Sequence, residues 1–294
     1  MQKIIAFLLI AGFLTGALGC NKKLEELKPP VKTELQIGVI PQQNSGKMKE
    51  AMDKLAEYLS ARLGLKAIIQ VAPDYASVVD GMNKGQIDLA YFGPFTYLVA
   101  HERSGAQALA ANLINGEASY KSLIISRKDS AVNTLADLKG KVFAFGDPGS
   151  ASGYIIPASM LRKSGLEGSF SAIYPGGHEA TAMSVLDKKA DAGAIDSVIF
   201  SLLIKKGTIK PEDFRIVSES EYLYEYPWAV RKDLEPKFRE SLLNAFLDIH
   251  DPKILEPFGV SGYAAADDSK YDNLRQAAKE LNIDLTSFVV TKRY

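Results

Sequence analysis

The chain has 294 residues, of which 47% are hydrophobic and 24% are charged, a composition typical of a folded globular protein. Its 35 lysine and arginine residues balance 35 aspartate and glutamate residues, so no net positive field favours a polyanion, and nucleic acid is not an expected partner. The length is near twice the common domain size of roughly 150 residues, which predicts two lobes.

The first nineteen residues have the pattern of an export signal. Lys3 precedes an apolar run from Ile4 to Leu14, which is shorter than the roughly 20 residues of a membrane-spanning helix and has the length of a signal-peptide core. The only cysteine, Cys20, follows the small residue Gly19, an arrangement similar to a bacterial lipoprotein cleavage site. We therefore expect residues 1–19 to be removed and Cys20 to be lipidated.

The alternative is ordinary cleavage after Gly19 that leaves a free thiol. A single cysteine excludes an intrachain disulfide and a cysteine-bound zinc site. Residues 20–33 are mostly charged or proline, with Pro29 and Pro30 adjacent, and this composition predicts a tether between an anchor and a globular body. We therefore expect an exported protein, periplasmic or on the cell surface, anchored to a membrane through Cys20.

Strands and helices are predicted to alternate from residue 34 onward. Apolar residues recur at helical spacing between Lys47 and Leu63, and Gly64 and Gly85 stand where two helices should end. The first part of the body is predicted to contain strands at 35–40, 66–71 and 87–91 and helices at 47–63, 75–84 and 96–104. Strands separated by helices indicate an α/β fold with a parallel or mixed sheet.

A second unit is predicted to begin near Ser119. Its strands are expected at 122–126, 142–145, 171–174, 192–195 and 214–218, with helices at 135–138, 154–164, 178–188 and 200–205. The tail adds a strand at 228–230 and helices at 237–249 and 271–281. We expect the tail to pack on the first unit, so that lobe 1 comprises 34–118 and 226–294 and lobe 2 comprises 119–225.

This division makes the chain cross between lobes twice, near 117–121 and 221–226. Two crossings form a hinge beside a central cleft, and ligands of α/β sheets commonly bind in such a cleft. The expected fold is therefore two-lobed, with two mixed sheets flanked by helices.

The most informative segment is the glycine- and serine-rich loop at 146–153. It leaves a predicted strand and opens a helix, and backbone amides at a helix start favour an anion. Ser150 and Ser152 add hydroxyl groups, while Gly149 and Gly153 permit close approach to the backbone. An alternative is that Ser150 or Ser152 only caps the helix.

Two further side chains follow strands of the same unit. His178 comes after two glycines and opens a helix, where an imidazole can donate to an anion; it can equally be a structural cap or a surface residue. Asp196 ends a strand and can bind ligand, cap the next helix or support a neighbour. All of these features lie at carboxyl ends of predicted strands, which is the edge where such sites gather.

The chain resembles the PhnD-like group of substrate-binding proteins, which serve ABC importers of phosphonate, phosphite and phosphate. Among the matching stretches, the Asp-Pro-x-Ser-x-Ser-Gly segment that starts at Asp147 is the most specific. The stretches are 40–44, 72–76, 88–94, 119–123, 147–154 and 177–179. The resemblance implies a two-lobed periplasmic-binding-protein fold, capture of a small phosphorus oxyanion between the lobes, and delivery to a membrane permease.

The resemblance also implies a binding set. In this group the oxyanion is held by a serine-rich helix start and a histidine of one lobe, and tyrosines close over it. The corresponding residues here, together with neighbours at the same strand ends, are Tyr75, Tyr120, Ser150, Ala151, Ser152, His178, Asp196 and Tyr226. Position 151 is often threonine in the group, so Ala151 offers only its backbone amide.

Relatives that bind an aminoalkyl phosphonate hold its ammonium with two carboxylates. Val198 and Tyr226 occupy those positions, and an ammonium buried without a counter-charge costs several kcal/mol. We therefore expect a small anion with little organic tail, although Glu225 and Asp196 are close enough in sequence to supply a carboxylate.

A competing class is an exported hydrolase with Ser152, His178 and Asp196 as a triad. A nucleophile elbow requires G-x-S-x-G, whereas Gly149–Gly153 reads Gly-Ser-Ala-Ser-Gly, with alanine at the nucleophile position. The sequence therefore favours a binding protein without catalytic activity, cofactor or metal, acting as a monomer. A receptor that presents the ligand to a membrane sensor remains an alternative to the transport role.

Overall fold

The computed structural model describes residues 33–41 and 46–287. Thirteen strands lie within these ranges. They are β1 (Glu34–Val39), β2 (Lys66–Val71), β3 (Leu89–Tyr91), β4 (Gln107–Leu113), β5 (Ser119–Tyr120), β6 (Ser122–Arg127), β7 (Val142–Gly146), β8 (Ser171–Gly176), β9 (Ala192–Asp196), β10 (Phe214–Glu219), β11 (Leu223–Tyr224), β12 (Pro227–Val230) and β13 (Gly262–Ala265).

Helices connect most of these strands. The α-helices are α1 (Gly46–Leu63), α2 (Tyr75–Asn83), α3 (Pro94–Ser104), α4 (Ile156–Lys163), α5 (His178–Leu186), α6 (Ser197–Lys205), α7 (Pro236–Leu247), α8 (Pro252–Phe258) and α9 (Asp272–Glu280). A π-helical turn at Ala151–Ile155 runs directly into α4, and short 3₁₀ turns occupy Leu135–Leu138, Pro211–Asp213 and Asp268–Tyr271.

The first sheet has six strands in the order β13-β4-β12-β3-β1-β2. β1 pairs in parallel with β2 and β3, whereas β12 and β13 pair antiparallel with their neighbours. Two strands from the end of the chain thus complete a sheet begun by its first part. Leu35, Ile37 and Val39 of β1 are buried, and because side chains alternate along a strand these three pack on the core from one face of the sheet.

The second sheet has five strands in the order β10-β6-β9-β7-β8. β7 is parallel to β8 and β9, and β6 is antiparallel to both β9 and β10. Both sheets are therefore mixed, and helices lie between their strands along the chain, which confirms the predicted α/β architecture. The parallel arrangement brings the carboxyl ends of β7, β8 and β9 to one edge, where the loop at 146–153, His178 and Asp196 follow.

The two connections between the sheets pair with each other. β5 and β11 form a two-stranded antiparallel ribbon in which Leu223 is opposite Tyr120 and Tyr224 is opposite Ser119. These strands lie within the crossings predicted at 117–121 and 221–226. The described residues 33–41 and 46–287 belong to one compact unit, so the boundaries of the two lobes stay a prediction.

β4 and β13 were not anticipated from the sequence. β4 is rich in alanine, a residue depleted in strands, and its register is set by antiparallel pairing with β12 and β13. Ala110 and Ala111 are completely buried between these strands. Tertiary pairing therefore decides the structure of this segment.

The predicted signal peptide, Cys20 and nearly all of the tether lie outside the described residues. Within the described ranges, no helix has both the length and the apolar character needed to span a membrane.

Candidate functional site

The loop between β7 and the π-helical turn is buried and tightly folded. The carboxylate of Asp147 accepts a hydrogen bond from the Gly149 amide at 2.7 Å, and the backbone carbonyl of Asp147 accepts one from the Ser150 amide at 2.8 Å. Ser150 is the N-cap residue, and its Oγ accepts from the Gly153 amide at 3.0 Å. Ser150 therefore caps the turn, and the amides of Ala151 and Ser152 lie at its start.

Glycine at 149 is required by close packing across the two sheets. A Cβ at this position would lie 2.9 Å from Thr96 Cγ2 and 3.2 Å from Tyr75 Cβ. Thr96 belongs to α3 and Tyr75 begins α2, and both helices follow strands of the first sheet. The serine-rich loop of the second sheet therefore packs directly on two helix starts of the first.

Ser152 and Tyr120 present hydroxyl groups that have no protein partner. Ser152 is completely buried and Tyr120 is 2% exposed, and neither Ser152 Oγ nor Tyr120 Oη has a hydrogen-bond partner. Burial raises the pKa of Tyr120, and the neighbouring Ser152 hydroxyl acts in the opposite direction. Buried hydroxyls are normally satisfied, so these two unsatisfied groups are candidates for contact with a ligand.

Tyr75 joins the same group of hydroxyls from the first sheet. Its side chain is 1% exposed, and its hydroxyl interacts with that of Ser150. Burial raises the pKa of Tyr75, with further contributions from the charges of Asp147 and Asp196. The phenol therefore stays protonated and serves as a hydrogen-bond donor.

His178 begins α5 and is 1% exposed. Complete burial lowers its pKa to about 4, so the imidazole is neutral at neutral pH. The backbone N–H of Asp196 lies 3.3 Å from Nδ1, and Tyr226 Oη lies 3.4 Å from Nε2. An N–H donor at Nδ1 makes that atom the acceptor, which puts the ring proton on Nε2.

Asp196 is the N-cap residue of α6. Its Oδ1 accepts from the amides of Val198 at 2.7 Å and Ile199 at 3.1 Å. Burial raises its pKa to about 6, while these two amides and the Tyr226 hydroxyl act in the opposite direction. The charge of Asp196 also raises the pKa of Tyr75. Asp196, at the end of a strand of the second sheet, therefore acts on a side chain that follows a strand of the first sheet.

Tyr226 lies at the centre of an aromatic stack. Its ring stacks on Tyr91 with centroids 5.8 Å apart and lies 5.5 Å from the ring of Tyr120. The side chain is 4% exposed. Its hydroxyl lies 3.4 Å from His178 Nε2 and lowers the pKa of Asp196, so it contacts both of these side chains.

Two buried polar residues were not placed in the predicted binding set. Glu225 is 2% exposed; its Oε2 accepts from the Tyr226 amide at 3.2 Å, and its Oε1 has no partner. Asn112 donates from Nδ2 to Tyr91 Oη at 2.8 Å, and its Oδ1 has no partner. The sequence indicates Glu225 only as a carboxylate close in sequence to the predicted site. Asn112 lies on strand β4, which the sequence does not predict, so no sequence signal identifies it.

The geometry is wrong for a serine-hydrolase triad. In a triad the carboxylate accepts from one ring nitrogen and the other nitrogen accepts from the serine. Here the backbone of Asp196, not its carboxylate, contacts Nδ1 of His178, and Ser152 Oγ has no partner. Nothing in this arrangement activates a nucleophile.

A separate cavity of about 720 Å³ lies between β8, α4 and the segment that follows α9. Its lining combines aromatic and aliphatic side chains, including Phe145, Tyr174 and Ile283, with polar ones, including Glu167, Asn282, Asp284 and Ser287. Within 33–41 and 46–287, no cluster of three histidine, cysteine, aspartate or glutamate residues has metal-binding geometry.

Comparisons with known proteins agree with this arrangement. A family model described as the periplasmic substrate-binding protein of phosphonate ABC transporters matches residues 37–271. The chain is 34% identical over 239 residues to the phosphate-import protein PhnD of Mycolicibacterium smegmatis, covering 76% of this chain and 74% of that protein. It is 26% identical over 255 residues to the phosphonates-binding periplasmic protein of Escherichia coli, covering 83% and 75%.

The fold is also similar to a solved structure, that of PhnD1 from Prochlorococcus marinus in complex with methylphosphonate. The TM-score is 0.77 at 24% identity, and the match covers 85% of this chain and 98% of that one. The family match spans most of the described body, including the serine-rich loop and His178. The chain belongs to the family of periplasmic substrate-binding proteins of phosphonate ABC transporters, which are binding components and not enzymes.

Proposed function

We propose that this protein captures a small phosphorus oxyanion between its two sheets and delivers it to an ABC permease. The observation that carries the proposal is the pair of buried hydroxyls without partners, Ser152 Oγ and Tyr120 Oη, next to a helix start. Such groups can donate hydrogen bonds to an anion, which needs several of them.

The donors in this proposal are uncharged. They comprise the amides of Ala151 and Ser152, the hydroxyls of Tyr75, Tyr120, Ser150 and Ser152, and Nε2–H of His178. Hydrogen bonds to a charged group are stronger than neutral ones, and a water-excluding environment strengthens them further. A cluster of neutral donors therefore suffices to hold a small tetrahedral anion without a lysine or arginine clamp.

Residues of both sheets contribute to this set, which supports a transport mechanism that depends on closure. Tyr75 belongs to α2, whereas Ser150, Ser152 and His178 follow strands of the second sheet. A ligand bound to both halves stabilises the form in which they are together. The permease then recognises that closed form, and the ribbon of β5 and β11 acts as the hinge.

The donor set and the relatives both support a ligand of this class. Phosphate, phosphite and methylphosphonate are small tetrahedral oxyanions, and relatives of this chain are named for phosphate import and phosphite binding. Val198 packs against the apolar core, so this position supplies no carboxylate to an ammonium group. We therefore expect these three anions to bind more tightly than aminoethylphosphonate.

Isothermal titration calorimetry on the mature chain tests this function. Titrations with phosphate, phosphite, methylphosphonate, aminoethylphosphonate and sulfate should give saturable binding to at least one of the first three. Binding of aminoethylphosphonate alone, or of none of the five, contradicts the proposal.

We further propose that the mature protein is anchored through a lipid on Cys20. The support is the sequence alone, namely the short apolar run followed by Gly19 and Cys20. Expressed in a bacterial host with radiolabelled fatty acid, the full chain should carry label and partition with membranes, and Cys20→Ser should lose both properties. Wild-type protein without label would contradict the anchor.

A further inference from the structure

Two carboxylates are buried inside the compartment that is proposed to hold an anion. Asp196 is 1% exposed and Glu225 is 2% exposed. Neither makes an ion pair with a lysine or arginine among the described residues, and the charge of Asp196 acts on Glu225. An anion site that contains two acidic side chains and no cation poses an electrostatic problem.

The two carboxylates are solvated unequally by the protein. Oδ1 of Asp196 accepts two amides at the start of α6, from Val198 and Ile199, and a helix start stabilises negative charge. Glu225 accepts one backbone amide through Oε2, its Oε1 makes no hydrogen bond of good geometry, and the neighbouring Asn112 side chain lowers its pKa without offsetting burial. The protein thus stabilises one negative charge in this compartment more readily than two.

The titratable groups around the pair come from several elements and bring no positive charge. Burial and the charge of Asp196 raise the pKa of Glu225 well above its ordinary value, and burial raises that of Asp196 to about 6. His178 is neutral because burial lowers its pKa. The remaining neighbours are the carboxylate of Asp147, whose charge acts on Tyr75 as that of Asp196 does, and the protonated phenols Tyr75, Tyr91, Tyr120, Tyr226 and Tyr271.

A phosphorus oxyanion that enters this compartment adds negative charge beside Asp196. Because no cation is present to balance it, the charge is offset most directly by a proton taken from solvent. We propose that Asp196 and Glu225 act as a proton-holding pair, so that binding of a dianion is coupled to uptake of a proton and Glu225 is a specificity-determining residue. This inference rests on the proposed function of the same site.

The coupling has a consequence for specificity. A phosphorus oxyanion that carries an ionisable hydrogen can donate it to a carboxylate oxygen of Asp196 or Glu225. A phosphorus oxyanion without one can accept a hydrogen bond from the protonated carboxyl of the pair. Sulfate holds no hydrogen at neutral pH and takes one up only in strong acid. The pair therefore favours phosphorus oxyanions over sulfate by repulsion as well as by hydrogen bonding.

Calorimetry with methylphosphonate in several buffers of different ionisation enthalpy counts the protons exchanged on binding. The titrations are run near pH 8.5, where the free ligand is a dianion, and repeated at about pH 6.5 for affinity. The variants are the isosteric amides Glu225→Gln and Asp196→Asn, singly and together. The control is Glu221→Gln, which removes an exposed carboxylate in the same crossing segment.

The wild type and Glu221→Gln should take up close to one proton per ligand and lose affinity with rising pH by up to about tenfold per pH unit. The double amide variant should take up markedly less and show a weaker pH dependence. Equal proton numbers in the wild type and the double variant overturn the inference. If the double variant does not fold, zero uptake or proton release by the wild type overturns it.

If the protein binds aminoethylphosphonate more than about tenfold more tightly than methylphosphonate, the carboxylates bind an ammonium group. That result also contradicts the proposal that Asp196 and Glu225 hold a proton. Absence of any oxyanion binding by the wild type would instead reject the proposed function. The two failures are therefore distinguishable in one set of titrations.

Discussion

The backbone N–H of Asp196 lies 3.3 Å from Nδ1 of His178. This contact joins the end of β9 to the start of α5 and leaves the imidazole proton on Nε2, the atom that faces Tyr226. A fixed tautomer of this kind gives the site a neutral donor at a defined place. The sequence identifies both residues as site candidates. The triad alternative requires the carboxylate of Asp196 to contact His178, whereas the structure has the backbone amide of Asp196 in that place.

His178→Ala removes that donor, and we expect affinity for the bound phosphorus oxyanion to fall by about 1–3 kcal/mol. Titration calorimetry of the variant measures the loss. His250→Ala, which changes an exposed histidine, should bind like the wild type. Unaltered binding by His178→Ala would remove the imidazole from the site.

Ser152→Ala and Ser150→Ala should differ in their effects on stability. Ser152 Oγ has no protein partner, so its removal should weaken ligand binding by about 1–3 kcal/mol without lowering the free energy of unfolding. Ser150 caps the turn through Gly153, so its removal should also cost about 0.5–2 kcal/mol of stability. Thermal or chemical denaturation of the ligand-free variants checks the contrast, and a destabilised Ser152→Ala protein would contradict it.

Gly149→Ala should impair the approach of the two sheets, because the added Cβ would lie 2.9 Å from Thr96 Cγ2. We expect weaker ligand binding and a larger radius of gyration by small-angle scattering. Thr96→Ser removes Cγ2 and retains the hydroxyl that donates to Gly93, so the double variant should recover part of the affinity. Normal affinity in Gly149→Ala alone would argue against this packing in the bound form.

The ligand-free protein should show opposing pH effects from His178 and Asp196. The folded pKa of His178 is lowered to about 4, so its contribution to stability is present above its ordinary pKa and is lost as the pH falls. The folded pKa of Asp196 is raised to about 6, so its contribution is present at low pH and is lost as the pH rises toward 6. The two effects partly cancel in the wild type between about pH 4 and 6.

Asp196→Asn should reveal the histidine effect, since asparagine retains the helix cap. Its free energy of unfolding should fall by up to about 3 kcal/mol between pH 6.5 and 4, a steeper loss than in the wild type. Chemical denaturation across this range provides the measurement. An identical pH dependence in both proteins would show that these two groups do not control acid stability.

Much of the fold was predictable because its signals are local. The apolar periodicity of α1 and the β-branched residues of β1 and β6 predict the α/β pattern. The glycine and serine residues after β7 predict the helix start that is proposed to bind an anion. Strand β4 was not predictable because its alanines have no strand preference and are held by pairing partners far away in sequence. Local patterns report local preferences only.

The same limit applies to the site. Ser150, Ser152 and His178 follow strands in a pattern that is readable from spacing, and the family resemblance supplied Tyr75 and Tyr120. The neutral state of His178 and the isolation of Glu225 Oε1 depend on burial by residues from both sheets. Burial of that kind is set by tertiary packing and has no signature in a single segment.

A crystal structure of the mature chain with arsenate, a tetrahedral analogue of phosphate that anomalous scattering locates directly, tests the central claim. We expect the arsenic peak between the two sheets, with arsenate oxygens within hydrogen-bond distance of Ser152 Oγ, Tyr120 Oη and His178 Nε2. An arsenic peak only in the cavity beside Tyr174, or only on the outer surface, would contradict the claim that neutral donors between the two sheets bind the anion.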